Sequence, residues 1–177
     1  MNEILNALEK RFSTRGYSEV KLTEDEIITI AKAGLQAPTA INKQEIHITA
    51  LDGDNSILAE IEAEKNALRN ITDAKMNFYY SAPTVFLLSA DNSFHWSELD
   101  AGIAVQSMAL AAESLGLGSL IIGCVRDALN GEKADYFAKA LQFPENYSFR
   151  IALAVGHKAT LKAPHTIDLE KNFSKIQ

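Results

Sequence analysis

Two arginines near the amino end of the chain flank two hydroxyl side chains. The segment reads Arg11-Phe12-Ser13-Thr14-Arg15 and follows a short helical pattern. Arginine offers paired N–H donors in a fixed fork, and the hydroxyls add short hydrogen bonds, so this spacing suits an oxyanion such as a phosphate. The same residues would also serve as the basic end of a helix, where cations complement the helix dipole. Taken alone, the segment leaves both interpretations open.

A second candidate is a polar loop at residues 37–44, which reads Ala-Pro-Thr-Ala-Ile-Asn-Lys-Gln. Its small residues would let the backbone approach a planar ligand, and the carboxamides of Asn42 and Gln44 can match the mixed donor and acceptor edge of a heterocycle. Proline, threonine and asparagine are also common turn formers, so a plain turn remains the alternative.

Glycines mark a third candidate, residues 116–123, where a helix gives way to a strand. The segment precedes a strand and has no Lys-Ser/Thr pair, so it is neither a dinucleotide fingerprint nor a triphosphate loop. Gly116 is explained as the end of the helix. Gly123, at the far end of the strand, cannot be explained as a helix end. A glycine there can indicate a close approach of the backbone to a ligand.

The elements that would position these segments can be predicted from caps and periodicity. Asn2 caps a first helix, and Thr23 with Glu26 forms a capping box for a second helix, which ends before Pro38. Apolar patterning predicts strands at 46–51, 85–88, 119–125 and 149–155, and further helices at 57–68, 98–115 and 133–141. Because two helices precede the first strand, a dinucleotide-binding domain is not expected, and the fold class is α+β.

Composition limits the classes of function. The chain has 177 residues, 47% of them hydrophobic, and no linker-like stretch, which predicts a single domain over residues 1–177. A net charge of −6 argues against a nucleic-acid partner. The amino end does not read as a signal peptide, and no apolar run predicts a membrane span. A lone cysteine, Cys124, fits a reducing compartment and so a cytoplasmic protein. The four histidines lie too far apart in sequence to predict a metal site.

Taken in order, five segments resemble the nitroreductase family of FMN-dependent oxidoreductases. They are residues 11–15, residues 38–44, Ala82-Pro83 before a central strand, Asp100-Ala101-Gly102 at a helix start, and residues 116–118. The resemblance implies a nitroreductase-like three-layer α/β/α sandwich with a small central mixed, mainly antiparallel sheet. The chain departs from the family pattern at Phe12, where a second basic residue is frequent, at Ala40, where serine is usual, and at Glu45-Ile46, which replaces a common Pro-Trp.

The resemblance also implies roles for individual residues. Arg11 and Ser13 would bind the FMN phosphate, with Phe12 beside them and His165 as a further phosphate ligand from the tail. Arg15 would lie at the pyrimidine edge of the ring, where a cation favours the reduced flavin. Ile122 and Gly123 would lie beside the reactive central nitrogen, with Cys124 as a packed neighbour. The remaining contacts would come from the neighbouring subunit of a homodimer, through Pro38, Thr39, Ala40, Asn42 and Gln44.

The implied reaction moves reducing equivalents from NADH or NADPH, through FMN, to a nitroaromatic, a quinone or a similar small electron-poor acceptor by a ping-pong mechanism. Because the flavin carries the chemistry, no catalytic side chain is expected. The chain is also shorter than many relatives, so its acceptor site is expected to be open.

Two alternatives remain: a non-enzymatic flavin-binding or sensing protein on the same scaffold, and a helical interaction module that uses the small residues of 102–112.

Overall fold

The structure is a computed structural model that describes residues 2–176. Its helices are α1 (Glu3–Lys10), α2 (Glu24–Leu35), α3 (Ser56–Leu68), α4 (Ser97–Ser114), α5 (Arg126–Asn130), α6 (Ala134–Ala140) and α7 (Leu169–Asn172). Its strands are β1 (Ile46–Asp52), β2 (Thr84–Asp91), β3 (Leu117–Ile122) and β4 (Tyr147–His157). One turn of 3-10 helix, Ala40–Asn42, lies between α2 and β1.

The four strands form one sheet in the order β1-β2-β4-β3, and each neighbouring pair is antiparallel. A parallel bridge between Ser13 and Ser119 adds the segment after α1 to the outer edge of β3. Helices α2 and α4 cover one face of the sheet, while α3, α5 and α6 cover the other. The predicted α+β class and the three-layer arrangement are confirmed.

Strand β2 lies in the middle of the fold, and every residue from Thr84 to Ala90 is buried. Its side chains alternate between the two layers: Val85 and Leu87 pack toward α3, whereas Phe86 and Leu88 pack toward α4. A strand that is buried on both faces needs the continuous apolar run that the sequence shows. This strand therefore joins the two halves of the hydrophobic core.

The longest helix, α4, crosses the sheet with small side chains on its buried face, at Ala101, Ala104, Ala109 and Ala112. Small residues let the helix axis approach the strands closely, and the larger Met108 fills the space beside Gly34 of α2. The chain leaves α4 through Gly116, whose φ of 78° lies in the left-handed region that glycine adopts freely. None of the helices in the described part of the chain is long and apolar enough to cross a membrane.

The sequence-based boundaries of β3 were wrong at both ends. The strand begins at Leu117 instead of residue 119, because Leu117 and Gly118 pair with His157 and Gly156 of β4. It ends at Ile122 instead of residue 125, because the chain turns directly into α5. The short helices α5 and α7 were not predicted, since four or five residues are too few to show a helical period.

Candidate functional site at the edge strand

The segment after α1 lies along β3, the edge strand of the sheet. The Thr14 N–H donates to the Ser119 carbonyl at 2.9 Å, and Ser13 bridges to Ser119. Thr14 is fully buried, whereas Ser13 and Arg15 are exposed and Arg11 is half-buried. The buried threonine thus fixes a short stretch of backbone whose neighbours remain open to a ligand.

Two glycines that face each other across β3 and β4 make room for this segment. Gly118 pairs with Gly156 in the register of the sheet. A Cβ atom on Gly118 would lie 2.6 Å from Thr14 Oγ1, and one on Gly156 would lie 2.5 Å from Pro83 Cδ. The Tyr17 hydroxyl closes the arrangement by donating to the Thr14 carbonyl at 2.9 Å. Three separate sequence motifs, at 11–15, 82–83 and 116–118, therefore meet at this end of the sheet.

Arg11 and Arg15 form no ion pair with any carboxylate within residues 2–176. The other arginines are engaged: Arg69 pairs with Asp127, Arg126 with Glu98, and Arg150 donates to Ser148 and Asn92. The Arg15 guanidinium carbon lies 5.8 Å from the centroid of the Tyr80 ring, a cation–π distance. In a chain with a net charge of −6, two cations without a counter-ion beside an exposed serine make a receptive site for an anion.

A lysine from the end of β4 adjoins the same segment and was not singled out from the sequence. Lys158 Nζ lies 5.7 Å from the Phe12 ring centroid and 2.8 Å from both carboxylate oxygens of Glu113. The charge of Lys158 is therefore balanced inside the chain. The contact could not be predicted from the sequence, because Lys158 is far from residue 12 along the chain. The pairing of β3 with β4 brings the two residues together.

The loop at residues 38–44 is held by its own side chains and by α4. The Gln44 N–H donates to Thr39 Oγ1 and Gln44 Nε2 donates to Asn42 Oδ1, both at 2.9 Å, while the Ala40 N–H donates to Asp100 Oδ2 at 3.0 Å. Three of its residues, Ile41, Asn42 and Gln44, have φ between 51° and 56°. Non-glycine residues adopt this region at a cost, and such strain concentrates at binding sites. Ile41 is 87% exposed at the tip of the loop.

At the far end of β3, Gly123 is exposed and a side chain would fit there. A Cβ atom on Gly123 would meet only Ile151 Cδ1, at 3.7 Å. Packing within the chain therefore does not require glycine at this position. Ile122 is buried in the core, so only its backbone is available to a ligand, and Cys124 packs against the same core cluster. Gly123 lies four positions after Ser119, roughly 13 Å along an extended chain.

A cavity of about 400 Å³ with a mixed polar and apolar lining opens beside this end of β3, between α4 and β4. Its lining combines the apolar Ile121 and Ile151 with the polar Gln106, Arg126 and Arg150. Burial lowers the pKa of Arg150, but arginine remains charged at any physiological pH. The cavity thus offers hydrogen-bond donors near Gly123.

His165 is exposed in the tail and has no described hydrogen bond or ion pair with residues 11–15. The start of the tail does reach that segment, because the Ala159 N–H donates to the Gly16 carbonyl at 3.0 Å. The structure therefore brings residues 11–15, Gly118 and Ser119 together at one end of β3. Gly123 lies at the other end, and the loop at 38–44 is docked on α4.

Comparisons with known proteins identify the family and the fold. The model of the nitroreductase family matches residues 8–157. Two Bacillus subtilis (strain 168) proteins, an FMN reductase (NADPH) and an FMN reductase [NAD(P)H], are 30% and 27% identical over 91% and 92% of this chain, which spans 68% and 69% of their lengths. A nitroreductase structure with bound FMN from Desulfitobacterium hafniense is 30% identical, superposes over both whole chains and has a TM-score of 0.89.

Proposed function

The chain belongs to the nitroreductase family, and from that premise we propose that it binds FMN and passes reducing equivalents from NADH or NADPH to a small electron-poor acceptor. One observation carries the proposal: Arg11 and Arg15, free of ion pairs within residues 2–176, flank the exposed Ser13 at the edge strand. The related Bacillus subtilis enzymes are FMN reductases, which supports the same reaction class. The free thiol of Cys124 fits work in the cytoplasm.

The donor groups along β3 suit the two ends of FMN. Arg11 and Ser13 are the groups we assign to the phosphate, because a guanidinium fork and a hydroxyl are strong donors to a doubly charged oxyanion. Arg15 would supply positive charge at the pyrimidine edge, and the backbone of Ile122 and Gly123 would lie beside the central nitrogen. His165 would add a phosphate contact from the tail. Support comes from the separation of Ser119 and Gly123 along one strand, which leaves room for an elongated ligand.

A homodimer would complete the site, with Pro38, Thr39, Ala40, Asn42 and Gln44 reaching the FMN of the second subunit. Two features of the single chain support this arrangement. The tip of the loop extends into solvent at Ile41, and α4 exposes Leu99 (60%) and Ile103 (43%) next to Gly102. Exposed large apolar side chains on one helix face are typical of a surface that a partner covers. Of the small residues that suggested an interaction module, Ala104, Ala109 and Ala112 pack inside the chain, whereas Gly102, Ser107 and Ala111 do not.

Bound FMN would accept a hydride from the nicotinamide and deliver electrons to the acceptor, so the protein supplies position and charge. The Arg15 guanidinium would stabilise the negative charge that reduction creates at the pyrimidine edge. The cavity beside Gly123 would receive the nicotinamide and then the acceptor in turn, the ping-pong order. Gln106 would donate a hydrogen bond to nitro or quinone oxygens there, beside the ion pair of Arg126 with Glu98.

Flavin titration tests the proposal directly. We expect the purified protein to quench FMN fluorescence on binding, and the bound flavin to bleach under anaerobic NADH or NADPH and to recover its colour with a nitroaromatic or a quinone. The Arg11→Ala/Arg15→Ala variant should raise the Kd for FMN at least about 100-fold, because two charge-assisted contacts are lost. Lys10→Ala, which removes an exposed cation at the end of α1, is the matched control and should change little.

Two results would contradict the proposal. Unchanged FMN affinity in the double variant would remove the phosphate site. Tight FMN binding without reduction by either nicotinamide would instead favour the non-enzymatic flavin-binding or sensing protein.

A further inference from the structure

Two carboxyl groups meet in the interior of the protein where the loop at 38–44 joins β1. Glu45 and Asp100 are each only 3% exposed. Asp100 Oδ2 accepts the Ala40 N–H at 3.0 Å. Both side-chain oxygens of Glu45 are shielded from solvent, and among the described residues no donor from another residue reaches either of them. Glu45 therefore lacks the hydrogen bonds that a buried carboxylate requires.

A proton shared between the carboxyl groups of Glu45 and Asp100 would give Glu45 a hydrogen bond and remove the repulsion between two negative charges. Two carboxylates in contact cannot both be ionised in a site of low polarity, because each raises the free energy of the other's charge. Burial raises the pKa of Glu45, and contact with Asp100 raises it further, while the N–H of Glu45 itself and the Lys43 ammonium oppose the shift. The Ala40 N–H donates to Asp100, whereas Glu45 receives no hydrogen bond from another described residue, so we place the proton on Glu45.

We propose that Glu45 is protonated in the folded protein and donates a hydrogen bond to the Asp100 carboxylate, and that this shared proton holds the loop at 38–44 against α4. Glu45 is then a positioning residue for the loop. The part of the proposal that concerns FMN rests on the function proposed above, in which this loop contacts the cofactor.

The loop needs such an anchor because its backbone is strained. Positive φ angles at Ile41, Asn42 and Gln44 lie between the two points at which the loop is tied to α4. One tie is the Ala40 N–H on Asp100, and the other is the Glu45 carboxyl on the same side chain. Ionisation of Glu45 would place two negative charges at that anchor and weaken both ties together.

Other charged groups around Glu45 cannot take the place of the proton. Lys43 is exposed, and its ammonium lies 5.9 Å from the Phe94 ring centroid. Tyr147 of β4 and Asp91 at the end of β2 face the site, and burial, Asp91 and Glu45 all raise the Tyr147 pKa. His47 lies two residues along β1, and burial lowers its pKa, so it is neutral near pH 7. Within residues 2–176, the cation that acts on Glu45 is therefore Lys43, whose side chain is exposed to solvent.

The sign of the pH effect follows from the raised pKa. Protonated Glu45 stabilises the fold fully below the ordinary glutamate value of 4.5, and this contribution is lost as pH rises through the raised value. Glu45→Gln keeps the shape and a permanent N–H donor, so its anchor cannot ionise. We expect the stability of Glu45→Gln relative to the natural protein to grow as pH rises.

The test uses the full chain in three measurements. Infrared difference spectra of the flavin-free protein, recorded from pH 4.5 upward, should show a protonated carboxyl band that persists above the ordinary glutamate pKa of 4.5 and is missing in Glu45→Gln. Urea unfolding from pH 4.5 to 9 should show the stability difference described above. The Kd for FMN should rise with pH in the natural protein relative to Glu45→Gln, about tenfold for each pH unit above the raised pKa. Glu19→Gln, an exposed glutamate outside the site, should behave like the natural protein.

The outcomes separate this proposal from the function proposed above. Absence of the carboxyl band, or identical pH profiles for the natural protein and Glu45→Gln, would overturn the shared proton. Failure to bind FMN at all would contradict the proposed function, and the infrared and unfolding measurements would still decide the proton. If Glu45→Gln does not fold, side-chain ¹³C NMR of the natural protein titrates the glutamates directly. A glutamate that titrates clearly above the ordinary value of 4.5 supports the proposal, and titration of every glutamate at or below that value refutes it.

Discussion

At the scale of single residues, the site depends on two glycines, Gly118 and Gly156, that leave space for neighbouring residues because they have no Cβ atom. Gly118 has no side chain, so Thr14 can lie against β3 and place Ser13 and the two arginines at the sheet edge. The distance of 2.6 Å from an added Cβ to Thr14 Oγ1 is shorter than real Cβ atoms show, so the threonine would have to move. The same holds on β4, where Pro83 lies against Gly156. Through Thr14, Gly118 therefore influences the position of Arg11 and Arg15.

Gly118→Ala should therefore both destabilise the protein and weaken flavin binding. Overpacking of this kind costs about 1 to 3 kcal/mol, and relief by movement of Thr14 would displace the backbone between Arg11 and Arg15. Urea unfolding measures the first effect, and FMN fluorescence titration measures the second.

The double variant Gly118→Ala/Thr14→Ala is the control for this mechanism. Removing Thr14 Oγ1 and Cγ2, which lie 2.6 and 2.8 Å from the added Cβ atom, should recover part of the lost stability, while Lys158 Cγ, also at 2.8 Å, stays in contact with the methyl group. An additive loss in the double variant would show that Thr14 is not the group that resists the methyl group.

At the scale of elements, local signals decide where helices begin. Thr23 accepts the Glu26 N–H and the Glu26 carboxylate accepts the Thr23 N–H at 2.7 Å, which is the reciprocal capping box that the sequence predicts for α2. This helix packs along α4 and ends just before the loop at 38–44. The start of α2 thus contributes to the position of a loop that follows its other end.

Thr23→Ala should lower the free energy of unfolding by about 1 kcal/mol, because the first turn of α2 loses its side-chain acceptor. Ser56→Ala is the matched control, since this exposed serine in the first turn of α3 makes no described hydrogen bond. Chemical denaturation of both variants measures the difference. Equal stability of the two variants would show that the capping box contributes nothing measurable.

The elements also show what sequence can and cannot predict here. The helix caps and the apolar run of β2 are local, and the positions of α2, α4 and β2 follow from them. The two ends of β3 do not follow from local signals, because the pairing of Gly118 with Gly156 brings a helix-ending motif into the sheet. Contacts such as Glu45 with Asp100 and Thr14 with Gly118 join residues far apart in the chain. Only the assembled sheet brings those residues together, so a single sequence gives no local pattern for them.

At the scale of the whole molecule, the chain leaves a considerable apolar surface uncovered. On α1, Ile4, Leu5 and Leu8 are all exposed, and with Leu110 and Ala111 of α4 the helix borders a groove of about 390 Å³. The tail adds the exposed Ile167, Leu169 and Phe173. In the proposed homodimer, these surfaces and the exposed face of α4 would be covered together with the flavin, so folding, assembly and cofactor uptake would depend on one another.

Leu99→Glu/Ile103→Glu should therefore produce a monomer with weak FMN affinity. Burying two carboxylates in place of a leucine and an isoleucine opposes association, while both positions are exposed within the single chain, so the helix should remain folded. Sedimentation velocity should show a change from dimer to monomer, and the Kd for FMN should rise at least about tenfold, which equals about 1.4 kcal/mol.

Leu68→Glu is the control for the dimer prediction, because Leu68 is similarly exposed on α3 in the opposite layer of the fold. It should keep the dimer and the flavin. Circular dichroism separates loss of assembly from loss of fold, since only unfolding would remove the helical signal. A natural protein that sediments as a monomer with bound FMN would contradict the prediction, because the loop at 38–44 could then not come from a second subunit. A charged α4 face that leaves both the dimer and FMN binding intact would locate the interface elsewhere, with α1 and the tail as the next surfaces to test.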